Sequence, residues 1–166
     1  MMKNLHLSIQ GLLLFLFFTN TSYSQINVSV TGNTNTSPNL AVSYTSLNDA
    51  LTALNAVTSM SGAVTLTCNA GSETAPSATG FTLGSASLNP VLSATNTISI
   101  VASGTVTLNA AVGASTPSSA SPDGIFKIVG ADYITINGLT FNDGNTTNPA
   151  SMEYGLALFK AGVDDG

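Results

Sequence analysis

Arginine and tryptophan are absent from this 166-residue chain, and histidine and cysteine occur once each, at His6 and Cys68. His6 falls in an N-terminal leader, so no Ser-His-Asp or Cys-His arrangement can be assembled in the rest of the chain. A zinc site built on His and Cys is excluded for the same reason. One cysteine cannot form an intrachain disulfide. Cys68 follows Val64 and Leu66 at alternate positions and reads as a small buried hydrophobe on their face. Charged side chains make up 7% of the chain, against roughly 25% in an average globular domain. Beyond residue 24 the only strong bases are Lys127 and Lys160, set against all eight acids, for a formal charge of −6. Nucleic acids and anionic membranes require clustered Lys or Arg and are therefore not expected partners. Solubility must rest on Ser, Thr and Asn, which suits an extracellular β-rich protein.

The first 24 residues have the order of a secretory signal peptide: Lys3, then the apolar run Leu12 to Phe18, then a mostly small and polar stretch from Thr19 to Ser24. The run is too short for a membrane span, which needs about 20 residues. Cleavage after Ser24 leaves Gln25 as the new N-terminus, and no Cys follows for lipid attachment. The expected location is the cell exterior or cell surface, with no membrane span after signal removal.

One helix is predicted. Leu47, Ala50, Leu51 and Leu54 fall at i, i+3, i+4 and i+7, Ser46 is a natural N-cap, and Asp49 can return the bond. Elsewhere the pattern is strand and turn: Ile26 to Val30, Val64 to Cys68, Thr97 to Ala102, Thr105 to Leu108, Ile125 to Val129, Tyr133 to Ile136, Leu139 to Phe141 and Tyr154 to Phe159. Thr31 to Asn39 and Ser115 to Pro122 read as loops. The stretch Gly124 to Asp143 packs three short alternating strands together, with Gly130 and Gly138 at the corners, and reads as one coil of a parallel β-helix. Asn137-Gly138 makes a hairpin the competing reading. Shifting Ile98–Asn109 by 28 positions sets Ile100, Val101, Thr107 and Asn109 on the identical Ile128, Val129, Thr135 and Asn137, which suggests stacked repeats. The expected fold is all-β, a right-handed parallel β-helix with a short N-terminal amphipathic capping helix. Its parts are a signal peptide (1–24), an N-terminal strand, loop and capping helix (25–61), and incomplete β-helix coils (62–166). Ile100 and Ile128 should then stack in adjacent coils.

The leader ending before Gln25, the segment from Tyr44 to Leu51 (YTSLNDAL), Leu88-Asn89-Pro90 and the run from Phe126 to Phe141 (FKIVGADYITINGLTF) resemble the N-terminal part of large surface proteins of gliding bacteria. That resemblance implies right-handed, pectate-lyase-like parallel β-helix repeats and type IX secretion. The chain departs from the pattern at Val163-Asp164-Asp165-Gly166, where it stops without further coils or a sorting domain, and so reads as a fragment. An open last strand would then invite self-association.

Two functions compete. The first is a noncatalytic extracellular segment for structural display or adhesion, adhesin-like, in contact with extracellular polysaccharide or cell-surface components. The second is the N-terminal remnant of a carbohydrate-active enzyme of the polysaccharide lyase type. A lyase needs a base beside a carboxylate cluster that holds calcium through several oxygens. The material is Lys127 with Asp123, Asp132, Asp143, Asp164 and Asp165. The aspartates at strand boundaries read as ordinary turn formers, and Lys127 as a solvated strand-face residue. No catalytic, cofactor-binding or metal-binding residue is assigned. Thr65-Leu66-Thr67 and Thr105-Val106-Thr107 raise a third reading, ice binding through outward threonine rows. β-Propensity explains them equally well. Asn27-Val28-Ser29, Asn35-Thr36-Ser37 and Asn145-Thr146-Thr147 match the glycosylation pattern, which a chain rich in Asn, Ser and Thr produces by chance.

Overall fold

A computed structural model describes residues 25–77, 79–111, 124–144 and 154–161. The leader, the loop at 115–122, the Asn145 acceptor, Asp123, Asp164 and Asp165 lie outside them. The described strands are β1 (Val28–Thr31), β2 (Thr36–Ser37), β3 (Ser43–Tyr44), β4 (Ser59–Met60), β5 (Val64–Thr74), β6 (Phe81–Leu83), β7 (Ile98–Asn109), β8 (Gly124–Val129), β9 (Ile134–Asn142) and β10 (Tyr154–Phe159). One α-helix, α1 (Leu47–Asn55), lies between β3 and β4.

The strands form three separate sheets. A five-stranded sheet runs β3-β1-β5-β7-β9, a three-stranded sheet runs β10-β8-β6, and β2 pairs with β4 alone. The five-stranded sheet is mixed: β5, β7 and β9 are parallel, whereas β1 is antiparallel to both β5 and β3. The three-stranded sheet is parallel throughout. With α1 this is a mixed α/β architecture, and the expected all-β parallel β-helix is corrected accordingly. Ile100 pairs with Leu66 and Ile136 in the larger sheet, and Ile128 pairs with Leu83 and Leu158 in the smaller one. The two isoleucines that should have stacked therefore belong to different sheets. The 28-residue shift set the first half of β7 on β8, which is not its partner, and the second half on the start of β9, which is its partner in another register, with Thr107 opposite Thr140. Period-two alternation tells which face a residue takes but not which strand lies beside it. Asn137-Gly138 is not a hairpin either, since Asn137 pairs in parallel with Val101 inside β9.

Two pairs of expected strands are single longer ones. β7 runs through Gly104 (φ +102) and β9 through Gly138 (φ +78). A Cβ at Gly104 would lie 3.1 Å from that of Ala70, and one at Gly138 would lie 3.1 Å from that of Ala102. Glycine thus lets neighbouring strands bend together at the register shifts next to these positions. Gly138 is an in-strand bend rather than the expected corner.

Buried residues from both larger sheets share one core. Val64, Leu66 and Cys68 meet Ile98 and Ile100 from β7, and Phe81 stacks on Phe126 with ring centroids 6.4 Å apart. The helix buries Leu47, Ala50, Leu51 and Leu54, as the periodicity predicts, and packs on β3, β5 and β6. It therefore bridges the two larger sheets. Ser46 Oγ accepts from the Asp49 N–H at 3.0 Å. The Leu47 and Asn48 N–H groups donate to the Glu73 carboxylate at 2.7 and 3.1 Å. A residue 26 positions away thus completes the cap.

Candidate binding face on the five-stranded sheet

Strand alternation turns one side of β1, β5, β7 and β9 inward and leaves a second side for solvent. Register places Thr31, Thr65, Ser99 and Thr135 in one row across the four strands. Ser43, Ser29, Thr67, Val101 and Asn137 form the next, with Ser43 contributed by β3. Beyond the register shift, Ser72, Thr107 and Thr140 form a third row, and Thr74, Asn109 and Asn142 a fourth. None of these residues is charged and all are exposed or half-buried. Successive rungs are spaced by about 4.8 Å, the separation of paired strands. Asn142 Nδ2 donates to Asn109 Oδ1 at 2.9 Å, which ties the last row together. Two rows lie before the glycine bends and two beyond them, and apart from Val101 they present hydroxyls and amides that can donate and accept but cannot form ion pairs.

The two Thr-x-Thr units do not align in it. Thr65 and Thr67 lie before the register shift, whereas Thr107 lies beyond it, opposite Ser72 and Thr140. Regular threonine rows of the kind ice binding would use are not formed.

Tyr133 stands at the entry to β9, two residues before Thr135. Its φ is +59°, and it is the only non-glycine with positive φ among the described residues. Its carbonyl accepts from the Ile98 N–H at 3.1 Å, which continues the ladder to β7. A left-handed backbone costs a residue with a Cβ on the order of 1–2 kcal/mol. Tyr133 is 52% exposed, so core burial does little to offset that cost.

The other sequence candidates are dispersed. Asp132 and Asp143 are exposed, and among the described residues no three His, Cys, Asp or Glu side chains come together. Lys127 is not the solvated strand-face residue expected. It is 7% exposed on β8, with Nζ 5.9 Å from the Phe159 ring centroid. Its neighbours in register are Thr82 and Ala157, so packing on both sides covers its stem. Cys68 is buried as expected, and burial together with the Glu73 charge pushes its thiol up to about 12. Burial also raises the Glu73 carboxyl above the ordinary carboxylate range. The Leu47 and Asn48 N–H groups pull it back partway, and the Asp49 charge adds a smaller upward push. Asn35 donates its side-chain amide to the Ala63 carbonyl at 2.9 Å, and Asn27 is exposed.

Several asparagines that sequence reasoning passed over hold the corners. Asn55 Nδ2 donates to the Thr82 carbonyl at 2.9 Å, and its Oδ1 accepts from the Gly84 N–H at 2.8 Å. Asn89 accepts from Ser85 N–H at 3.0 Å and donates to the Val129 carbonyl at 3.0 Å. Asn96 reaches the Met60 and Val91 carbonyls at 3.2 and 3.0 Å. Their position beside element ends was the available signal, since amide side chains satisfy turn backbone groups.

Among the described residues no helix is long and apolar enough to cross a membrane. No protein-family model, no curated protein and no solved structure matches the chain.

Proposed function

We propose that the chain is a noncatalytic, secreted surface segment whose task is display or adhesion, with the outer face of the five-stranded sheet as its contact surface for extracellular polysaccharide. The observation that carries this reading is the set of four uncharged rows, Ser, Thr and Asn apart from Val101, that cross β5, β7 and β9, two of them reaching β1. A polyhydroxylated polymer exchanges hydrogen bonds with such a face without requiring charge. The lyase alternative has no comparable support, because Lys127 is buried beside Phe159 while Asp132 and Asp143 are exposed. The test is depletion of the purified chain by a panel of insoluble polysaccharides, repeated with Thr65→Glu/Thr67→Glu. The parent should be retained by at least one polymer, and the double variant should be released while melting within a few degrees of it. A parent retained by none, or a variant retained equally, overturns the reading.

Self-association is the second element of the proposal. Among the described residues β9 and β10 are the last strands of their sheets. They also meet: a Cβ at Gly155 would lie 3.3 Å from that of Phe141. Leu156 and Leu158 are 43% and 75% exposed along β10, and a cavity of about 360 Å³ opens among Tyr154, Leu156, Ala157, Leu158 and Phe159. Neither strand carries a charge or a proline, the usual devices that blunt an open edge.

A further inference from the structure

We infer that Tyr133 is the stacking platform of the outer sheet face and that the ligand of this face is a neutral pyranose polymer. The inference rests on the contact-surface reading above and adds to it a specificity residue and a ligand class.

The backbone at position 133 favours glycine, yet a phenol ring stands there, half in solvent. Strain of this kind persists only where the surrounding structure holds it, and it clusters at active sites and ligand clamps. Thr135 and Asn137, both exposed, lie two and four residues beyond Tyr133 in β9, with Ser99 and Val101 beside them on β7. The first of these hydroxyls is two residues away, or about 7 Å along the chain. A pyranose ring presents an apolar C–H face and a rim of hydroxyls. The C–H face suits the electron-rich face of an aromatic ring, and the rim suits rows of Ser, Thr and Asn. Charge selects against acidic polymers. The neighbour Asp132 is exposed, the rows contain no base, and the whole chain has a formal charge of −5.

The test uses the purified chain, swollen cellulose and insoluble β-1,3-glucan as neutral probes, and polygalacturonate as the acidic one. Three proteins are compared: the parent, Tyr133→Phe and Tyr133→Gly. Phe keeps the ring and should bind within about twofold of the parent. Gly removes the ring and the strain together. It should lose about tenfold or more in retention, the size expected when an aromatic anchor is truncated, and melt at or above the parent temperature. A Gly variant that melts lower shows that the ring serves packing and overturns the inference. So does a Gly variant that binds as the parent does. If that variant still binds while Thr65→Glu/Thr67→Glu does not, the contact face stands and Tyr133 alone is discarded. Equal or stronger retention on polygalacturonate overturns the neutral ligand class. A parent that binds no neutral probe overturns the inference outright.

Discussion

Among the described residues the core is closed on its helix side and open at its last strands, although both are built from the same alternating pattern. On the closed side α1 packs on β3, β5 and β6, and its four apolar residues are buried. Its first N–H groups are satisfied by Ser46 and by the buried carboxylate of Glu73. On the open side β9 and β10 end their sheets together, with Ile134, Ile136, Leu139 and Phe141 only half-buried and Leu158 largely exposed. The comparison teaches that strand alternation builds the interior of the core but does not cover its sides. Covering one takes a separate device, here an amphipathic helix whose cap reaches across the core.

The largest effect should come from breaking the closed side. Leu51→Ala is expected to cost about 2–5 kcal/mol, because Leu51 is buried and the site cannot fully collapse. Chemical denaturation would check this, and a loss below about 1 kcal/mol would show that the helix is not part of the core.

Next comes the cap. Glu73→Ala leaves the Leu47 and Asn48 N–H groups without their acceptors and should cost about 1–3 kcal/mol. Glu73→Gln keeps one acceptor and should cost less. The pH dependence has a definite sign. Burial raises the Glu73 carboxyl above its unfolded value, so the folded state holds the proton more tightly. Its contribution to stability is complete below the unfolded value and is lost as pH rises through the folded one. The melting temperature of the parent relative to Glu73→Gln should therefore rise on acidification from neutral pH. An unchanged difference would show that the two N–H bonds cancel the effect of burial.

Cys68 gives a third measurement. With its thiol pushed up to about 12, alkylation near pH 8 should proceed only through opening of the core. Labelling as fast as that of an unfolded peptide would place the thiol at the surface.

The smallest effect on stability belongs to the open side. Leu158→Lys should change folding stability by no more than about 0.5 kcal/mol, since the side chain is already exposed. Light scattering should nevertheless report a shift from oligomer to monomer. A parent that is already monomeric would remove the self-association proposal and make the two sides functionally alike.

Legibility followed the range of the interaction. The helix could be read with its cap because Ser46 to Leu54 contain every residue of its apolar face. The bounds of β10 were equally plain from alternation. β6 escaped notice because Phe81-Thr82-Leu83 is too short to show a period, yet it pairs with β8 and supplies the buried Phe81. The polar half of β5, from Asn69 to Thr74, also gave no strand signal. It pairs along β7 nonetheless, with the exposed or half-buried Ser72 and Thr74 alternating with the buried Glu73. Nothing around Tyr133 announced its left-handed backbone, and nothing linked Glu73 to a helix that starts 26 residues earlier.

Composition and local period by themselves determined the near absence of charge, the single helix with its buried face, the short alternating strands and the burial of Cys68. These follow from side-chain chemistry within a few residues. Which strand adjoins which, and hence three sheets in place of one winding stack, was decided by tertiary structure alone. The pairing energy of a strand depends on the neighbour it meets, and several alternating strands of this chain offer nearly the same apolar row. The outer rows of hydroxyls and amides were fixed in the same way, because residues from separate strands become neighbours only after register has been chosen.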